Sequence, residues 1–247
     1  MNNASVASLP SYHEMLSQLI ALPSVSSNST RWDQSNKAVI DLLAGWLEGL
    51  GFAIELMPLG NEKFNLIATL GKGDGGLVLS GHTDTVPYDA NRWQTDPFVL
   101  TELENRLYGL GACDMKGFFP VALIAIQSFL KAPLREPIIF LATADEESSM
   151  SGAKALAEAG RLKGRCAIIG EPTDLRPIRM HKGIMMESLR ITGRSGHSSS
   201  PALGVSALEC MQEVMGGLLL FRQELQSRNR NDAFAINVPT LNFGHIH

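Results

Sequence analysis

The sequence predicts an α/β fold, a mixed sheet flanked by helices, followed by a smaller, incomplete α+β unit. Three observations carry that prediction. Short apolar runs at residues 52–57, 64–70, 77–80, 138–143 and 167–170 are separated by Gly/Pro turns or by helix-like stretches at 118–130 and 151–159. Alternation of this kind argues a sheet covered on both faces. Ahead of the runs, Val39, Ile40, Leu42, Leu43, Trp46, Leu47 and Leu50 recur with helical period. Residues 33–50 therefore read as a surface helix, with Asp33 as N-cap and Gly51 just past its end. Near His181 the character changes: residues 184–192 read as a strand, 206–225 as a long helix and 240–243 as a last strand. Those three elements make a poor independent core, and the chain closes on Gly244-His245-Ile246-His247 without cap or tail, so it reads as a fragment of a longer protein.

The bulk properties exclude several classes. At 247 residues and 45% hydrophobic content, the chain is long enough to bury a sizeable core. Its 21 basic and 25 acidic residues leave a net charge of −4 with no long run of one sign, which offers nothing to nucleic acid or to an anionic membrane. Residues 1–10 have no signal-peptide pattern and no stretch is apolar for the roughly 18 residues of a membrane span, so the expected location is cytoplasmic. Cys113, Cys166 and Cys210 are odd in number, widely spaced and outside any CxxC pattern, so reduced thiols are expected. Met185, Met186, Met211 and Met215 read as core filler.

Ligands of open α/β sheets gather beyond the carboxyl ends of strands, and four apolar runs here are followed by metal-binding residue types. The run at 77–80 leads to His82 and Asp84, two apart on extended backbone and so on one face. That spacing lets Asp84 accept the second ring proton of a metal-bound His82. Asp114 stands in a glycine-punctuated loop at the entry to the 118–130 helix, where it also fits a plain N-cap. The run at 138–143 emits Asp145, Glu146 and Glu147, which also suit the positive end of a helix, and Glu171 follows the 167–170 run just ahead of a proline. Each has a structural explanation when taken singly. One histidine and several carboxylates arriving from separate strand ends make a donor set for a pair of divalent ions, and an aspartate can bridge such a pair.

The words Ser-Gly-His82-Thr-Asp84-Thr-Val-Pro, Gly-Ala-Cys-Asp114-Met-Lys-Gly, Ala-Asp-Glu146-Glu147 and Gly-Glu171-Pro-Thr occur in this order. They resemble the zinc-dependent family of acetylornithine deacetylase, succinyl-diaminopimelate desuccinylase, aminoacylase and related carboxypeptidases. Arg92-Trp93, Asp96-Pro-Phe98, Leu107-Tyr-Gly-Leu-Gly111, His181-Lys-Gly183 and Ser195-Gly-His197-Ser-Ser199 are most similar to the acetylornithine deacetylase branch. The resemblance implies a zinc-peptidase-like catalytic domain over residues 1–181, lacking its C-terminal part, and the first part of a lid and dimerisation domain over 182–247. It implies that His82 and Glu171 bind one zinc ion, that Glu147 binds a second and that Asp114 bridges them, with Co2+ able to substitute. Asp84 is then the partner behind His82, Glu146 the general base, and His197 an oxyanion donor reaching the other subunit of a homodimer. His181 and Lys182 mark the hinge into the lid or a plain basic loop, and Cys113 is structural.

The implied reaction is hydrolysis of N2-acetyl-L-ornithine, a small acylated amino acid, to L-ornithine and acetate in arginine biosynthesis. Desuccinylation of succinyl-diaminopimelate or another aminoacylase or dipeptidase reaction is the alternative within the family. The family's second ion also takes a histidine from a later part of a longer chain, and neither His245 nor His247 corresponds to it. The expectation is therefore that this polypeptide alone is inactive or poorly folded, and a truncated metal-binding or dimerisation module is the alternative of another class.

Overall fold

The computed structural model describes residues 8–130, 133–161 and 164–246, and the chain forms two compact units, Met1–Arg179 and Met180–His247. His247 and residues 1–7 lie outside the described residues. The first unit runs α1 (Tyr12–Ile20), α2 (Lys37–Gly49), β1 (Ala53–Gly60), β2 (Lys63–Leu70), β3 (Leu77–His82), β4 (Thr101–Leu103), β5 (Arg106–Tyr108), α3 (Phe118–Phe129), β6 (Ile138–Thr143), α4 (Ser151–Glu158) and β7 (Cys166–Ile169). One sheet takes the order β1-β2-β6-β3-β7. The β1–β2 and β2–β6 pairs are antiparallel and β3 is parallel to both β6 and β7, so the sheet is mixed.

Period-two alternation divides the strand side chains between two cores. Leu66, Ala68, Leu79, Phe140 and Ala142 face the larger one, with Met15 and Leu19 of α1, Ile40, Leu43 and Leu47 of α2, and Phe119 and Leu123 of α3. Their neighbours Ile67, Val78 and Leu141 face the other side, where Leu156 of α4 packs. Because β3, β6 and β7 are parallel, His82, Thr143 and Ile169 end at one edge of the sheet.

Local signals explain the element ends. Ser11 and Glu14 form a reciprocal capping box at the start of α1, an element the apolar pattern did not single out. At the end of α2 the Phe52 amide bonds the Leu47 carbonyl and the Gly51 amide bonds that of Glu48, a Schellman closure with Gly51 at φ 89°. The start of α2 differs from expectation: the N-cap is Asn36, not Asp33. Asp33 accepts hydrogen bonds from the Ser27 amide and the Lys63 ammonium, partners far stronger than a helix amide several residues away. The β4–β5 hairpin was also not anticipated; Glu104 and Asn105 at its tip both take positive φ, as its tight turn requires.

In the second unit α5 (Ala207–Arg228) is capped by the Ser206 hydroxyl, which accepts from the Glu209 amide. The strands expected at 184–192 and 240–243 are absent from it, and only an isolated Arg194–Val205 bridge forms nearby. A strand needs a neighbour, and among the described residues of this unit none runs alongside. Carbonyls of the final stretch are taken by side chains instead: Val238 by Lys182 Nζ (2.8 Å), Pro239 by Gln226 Nε2 (3.0 Å) and Leu241 by Arg222 Nη1 (3.4 Å). Met185 and Met186, expected in the core, are exposed for the same want of a packed layer.

Candidate metal-dependent active site

The carboxyl ends of the parallel strands gather the acidic and histidine residues singled out above. His82 closes β3 and is 1% exposed. Its Nδ1 lies 3.0 Å from the Asp84 main-chain carbonyl, which can only accept, so Nδ1 carries the proton. Its Nε2 lies 3.0 Å from Asp114 Oδ1 and 3.8 Å from Glu171 Oε1. Close approach of the elements depends on small residues before the ligand types. A Cβ at Gly81 would stand 2.8 Å from Met115 Cε and 2.9 Å from the Phe119 ring. One at Gly170, just before Glu171, would collide with the Phe118 ring.

Asp84 works differently from the expectation. Its carboxylate is 3.6 Å from His82 Nδ1, beyond hydrogen-bond range, because the main-chain carbonyl takes the ring proton first. The carboxylate instead accepts the Glu146 amide (3.2 Å) and the Glu147 amide (3.0 Å). Asp84 thus orients His82 through its backbone and the two glutamates through its side chain.

The electrostatics are those of a crowded acidic centre. Burial, then the charges of Asp114, Glu146 and Asp84, push Glu147 up to about 7 against the pull of His82. Glu171 is raised by burial and by Asp114, Glu146 and Asp84. Burial works against the His82 imidazolium, yet Asp84, Glu171 and Glu146 raise it to about 9. With the Nδ1 proton committed to a carbonyl, Nε2 of a neutral His82 presents a lone pair to carboxylate oxygens, an arrangement that requires a proton or a cation between them. Donor atoms of His82, Asp114 and Glu147 lie within 4.8 Å of one another, as do those of His82, Glu146 and Glu171. One imidazole and four carboxylates suit zinc or another divalent ion of similar hardness. Distance alone groups Glu146 with the potential ligands.

Residues 78–240 match peptidase family M20/M25/M40. The chain belongs to that family. Its relatives include acetylornithine deacetylases of Edwardsiella ictaluri, 53% identical over 97% of this chain and 63% of the relative, and of Proteus mirabilis, 53% identical over 96% and 62%. The chain therefore spans a little under two thirds of the length of these curated relatives. Among solved structures it is similar to human carnosine dipeptidase 1 (TM-score 0.55, 25% identity, 64% of this chain and 38% of that one). It shares the fold of the M20 family metallo-carboxypeptidase Sso-CP2 from Sulfolobus solfataricus (TM-score 0.55, 23% identity, 66% and 37%).

Within this M20 chain, His197 belongs to the second unit and is exposed. The Ser199 amide donates to its Nδ1 (3.2 Å), so the neutral ring carries its proton on Nε2. Cys113, beside Asp114, is exposed and free, as are Cys166 and Cys210 free of disulfides. Three buried residues around the M20 site escaped the sequence reading. Lys116 Nζ donates to the Leu19 (3.1 Å) and Leu22 (2.7 Å) carbonyls, tying the Asp114 loop to the end of α1, and burial lowers its pKa to about 7 despite Asp84. Lys63 and Asn65 hold the turn that carries Glu146 and Glu147. Their only sequence signal was a lysine and an asparagine two apart at the head of an otherwise apolar strand.

Proposed function

We propose that the complete protein hydrolyses N2-acetyl-L-ornithine to L-ornithine and acetate, a step of arginine biosynthesis, as a cytoplasmic homodimer using two zinc ions, with cobalt as a substitute. The observation that carries this reading is the convergence of His82, Asp114, Glu146, Glu147 and Glu171 at one sheet edge, in a chain 53% identical to acetylornithine deacetylase of Edwardsiella ictaluri. His82 and Glu171 would hold one ion and Glu147 the other, with Asp114 between them. Bound zinc would supply Lewis acidity, polarising an amide carbonyl and lowering the pKa of water toward about 7.

The residues of the chain do the rest. Glu146 takes the proton from the attacking water and returns it to the amine nitrogen as the C–N bond breaks. Asp84 fixes the His82 tautomer through its carbonyl and holds the backbone on which Glu146 and Glu147 stand. The Nε2–H of His197 from the other copy donates a hydrogen bond to the oxyanion that develops on the scissile carbonyl, a contribution typically worth about 10²–10³ in rate. The dipeptidase resemblance favours cleavage of an amide between amino acids as the second reading.

Assay of the zinc-loaded complete protein on N2-acetyl-L-ornithine, N-succinyl-diaminopimelate and a dipeptide tests the substrate. Preference for either of the last two replaces the acetylornithine reading. Glu146→Gln is expected to lower kcat by about 10²–10⁴ with zinc content unchanged. Unchanged turnover would remove Glu146 from the mechanism.

A further inference from the structure

We infer that Lys63 is a positioning residue whose buried ammonium locks the left-handed turn at Asp145 and so sets where the Glu146 and Glu147 carboxylates emerge. The inference rests on the metal-dependent hydrolase reading above. Lys63 is 4% exposed at the head of β2, and a lysine that deeply buried must be fully paired. Its Nζ donates to Asp33 Oδ1 at 2.8 Å and to Asp145 Oδ1 at 2.9 Å. Asp145 immediately precedes the two glutamates and has φ 58°, a conformation that a non-glycine residue holds only when its surroundings over-determine it.

Those surroundings are all on hand. Besides Lys63, the Asp145 carboxylate accepts the Ser151 hydroxyl at 2.8 Å and the Ser26 hydroxyl at 3.2 Å, and its carbonyl accepts the Met150 amide at 2.6 Å. Asn65, two residues beyond Lys63 and so on the same side of β2, brackets the same turn. Its Oδ1 accepts the Ala144 amide at 3.1 Å and its Nδ2 donates to the Gly152 carbonyl at 2.9 Å. The Glu146 and Glu147 amides are in turn held by Asp84, so the backbone under both carboxylates is fastened on each side. Removing the Lys63 cation leaves Asp33 and Asp145 facing each other without a counter-charge and frees the turn at its strained residue.

A purely structural ion pair would behave differently, and Asp33→Asn separates the two cases because it weakens the other ion pair of Lys63 and leaves the Lys63–Asp145 bond at the turn in place. Lys63→Met and Asp33→Asn are compared in the complete protein by zinc dissociation constant, amide hydrogen exchange of residues 144–152, and kcat and KM on the best substrate. The expected result for Lys63→Met is a kcat lowered about 10- to 100-fold with KM within a few fold, zinc binding weakened about tenfold or more, and faster exchange across the turn. Asp33→Asn is expected to lower thermal stability alone. Equal effects of the two variants on zinc binding and kcat overturn the inference, whatever their stability. Should Lys63→Met not fold, Asp145→Asn, which keeps one accepting oxygen, offers its NH2 to the other serine hydroxyl and drops the ion pair, carries the same expectations. If the wild-type protein hydrolyses none of the amides, the proposed reaction falls, and zinc affinity and exchange still decide the role of Lys63.

Discussion

Protonation at the site is governed by how few charges of opposite sign stand among its carboxylates. In the metal-free protein Glu147 is raised from 4.5 to about 7, so between those values the native state keeps a proton that the unfolded chain has released. Its stability contribution is therefore present at low pH and lost as pH rises through about 7. His82, raised from 6.5 to about 9, acts in the same direction: its contribution is complete below 6.5 and lost as pH rises through about 9. The metal-free melting temperature is expected to fall between about pH 5 and about pH 7; above that, Lys116, lowered from 10.5 to about 7, stabilises the fold as pH rises and offsets the His82 loss. Saturating zinc, which replaces the Glu147 and His82 protons, is expected to flatten or reverse the fall. Thermal scans with and without zinc check this, and a metal-free melting temperature that climbs steadily over the same window would contradict it. The types of these residues were legible in the sequence, because a histidine and acids after apolar runs are a local pattern. The partner of the Asp84 carboxylate was not: two backbone amides from β6's end reach it, more than sixty positions along the chain.

At the scale of elements, precision comes from helix α3 and strand β3 packing with almost no space between them. Gly81 sits where a methyl group would press on Met115 and Phe119, at the start of α3, and the next residue is His82. Gly81→Ala is expected to lower stability by about 1–3 kcal/mol, the usual cost of overpacking, and to weaken zinc binding by moving β3's last residue. Calorimetry of the metal-free variant and a zinc titration measure the two effects; loss of stability with unaltered zinc affinity would show that β3 and α3 shift as one body. Helices α2 to α4 and the five strands of the larger sheet were readable from their apolar runs, since their cores obey the periods closely. In the second unit the helix at 206–225 was readable as well and the strands were not: residues 184–192 have a strand's composition yet find no neighbouring strand among the described residues. Composition states a preference for extended backbone, and only a partner's amides and carbonyls make it a strand.

Across the whole first unit, the site joins the ends of three parallel strands to the loop before α3, so an ion held there would cross-link elements distant in sequence. Zinc is therefore expected to stabilise the fold as well as complete the site, by about 2.7 kcal/mol at one hundred times its dissociation constant. Chelation should lower the melting temperature in proportion to the logarithm of free zinc, and a melting temperature indifferent to chelator would show that the carboxylates bind no structural ion. The sequence by itself determined the fold class, the five strands of the larger sheet, α2 to α5, the helix-ending Gly51 and the identity of the residues at the strand ends, because each is written in local period or in short-range turn chemistry. Only the tertiary structure decided that β1 and β2 run antiparallel, that Asp33 pairs with Lys63 instead of capping a helix, and that Lys63 and Asn65 hold the acidic turn. Those outcomes are settled by which groups meet across the fold, where a buried charge or amide must take whatever partner the packing brings within reach.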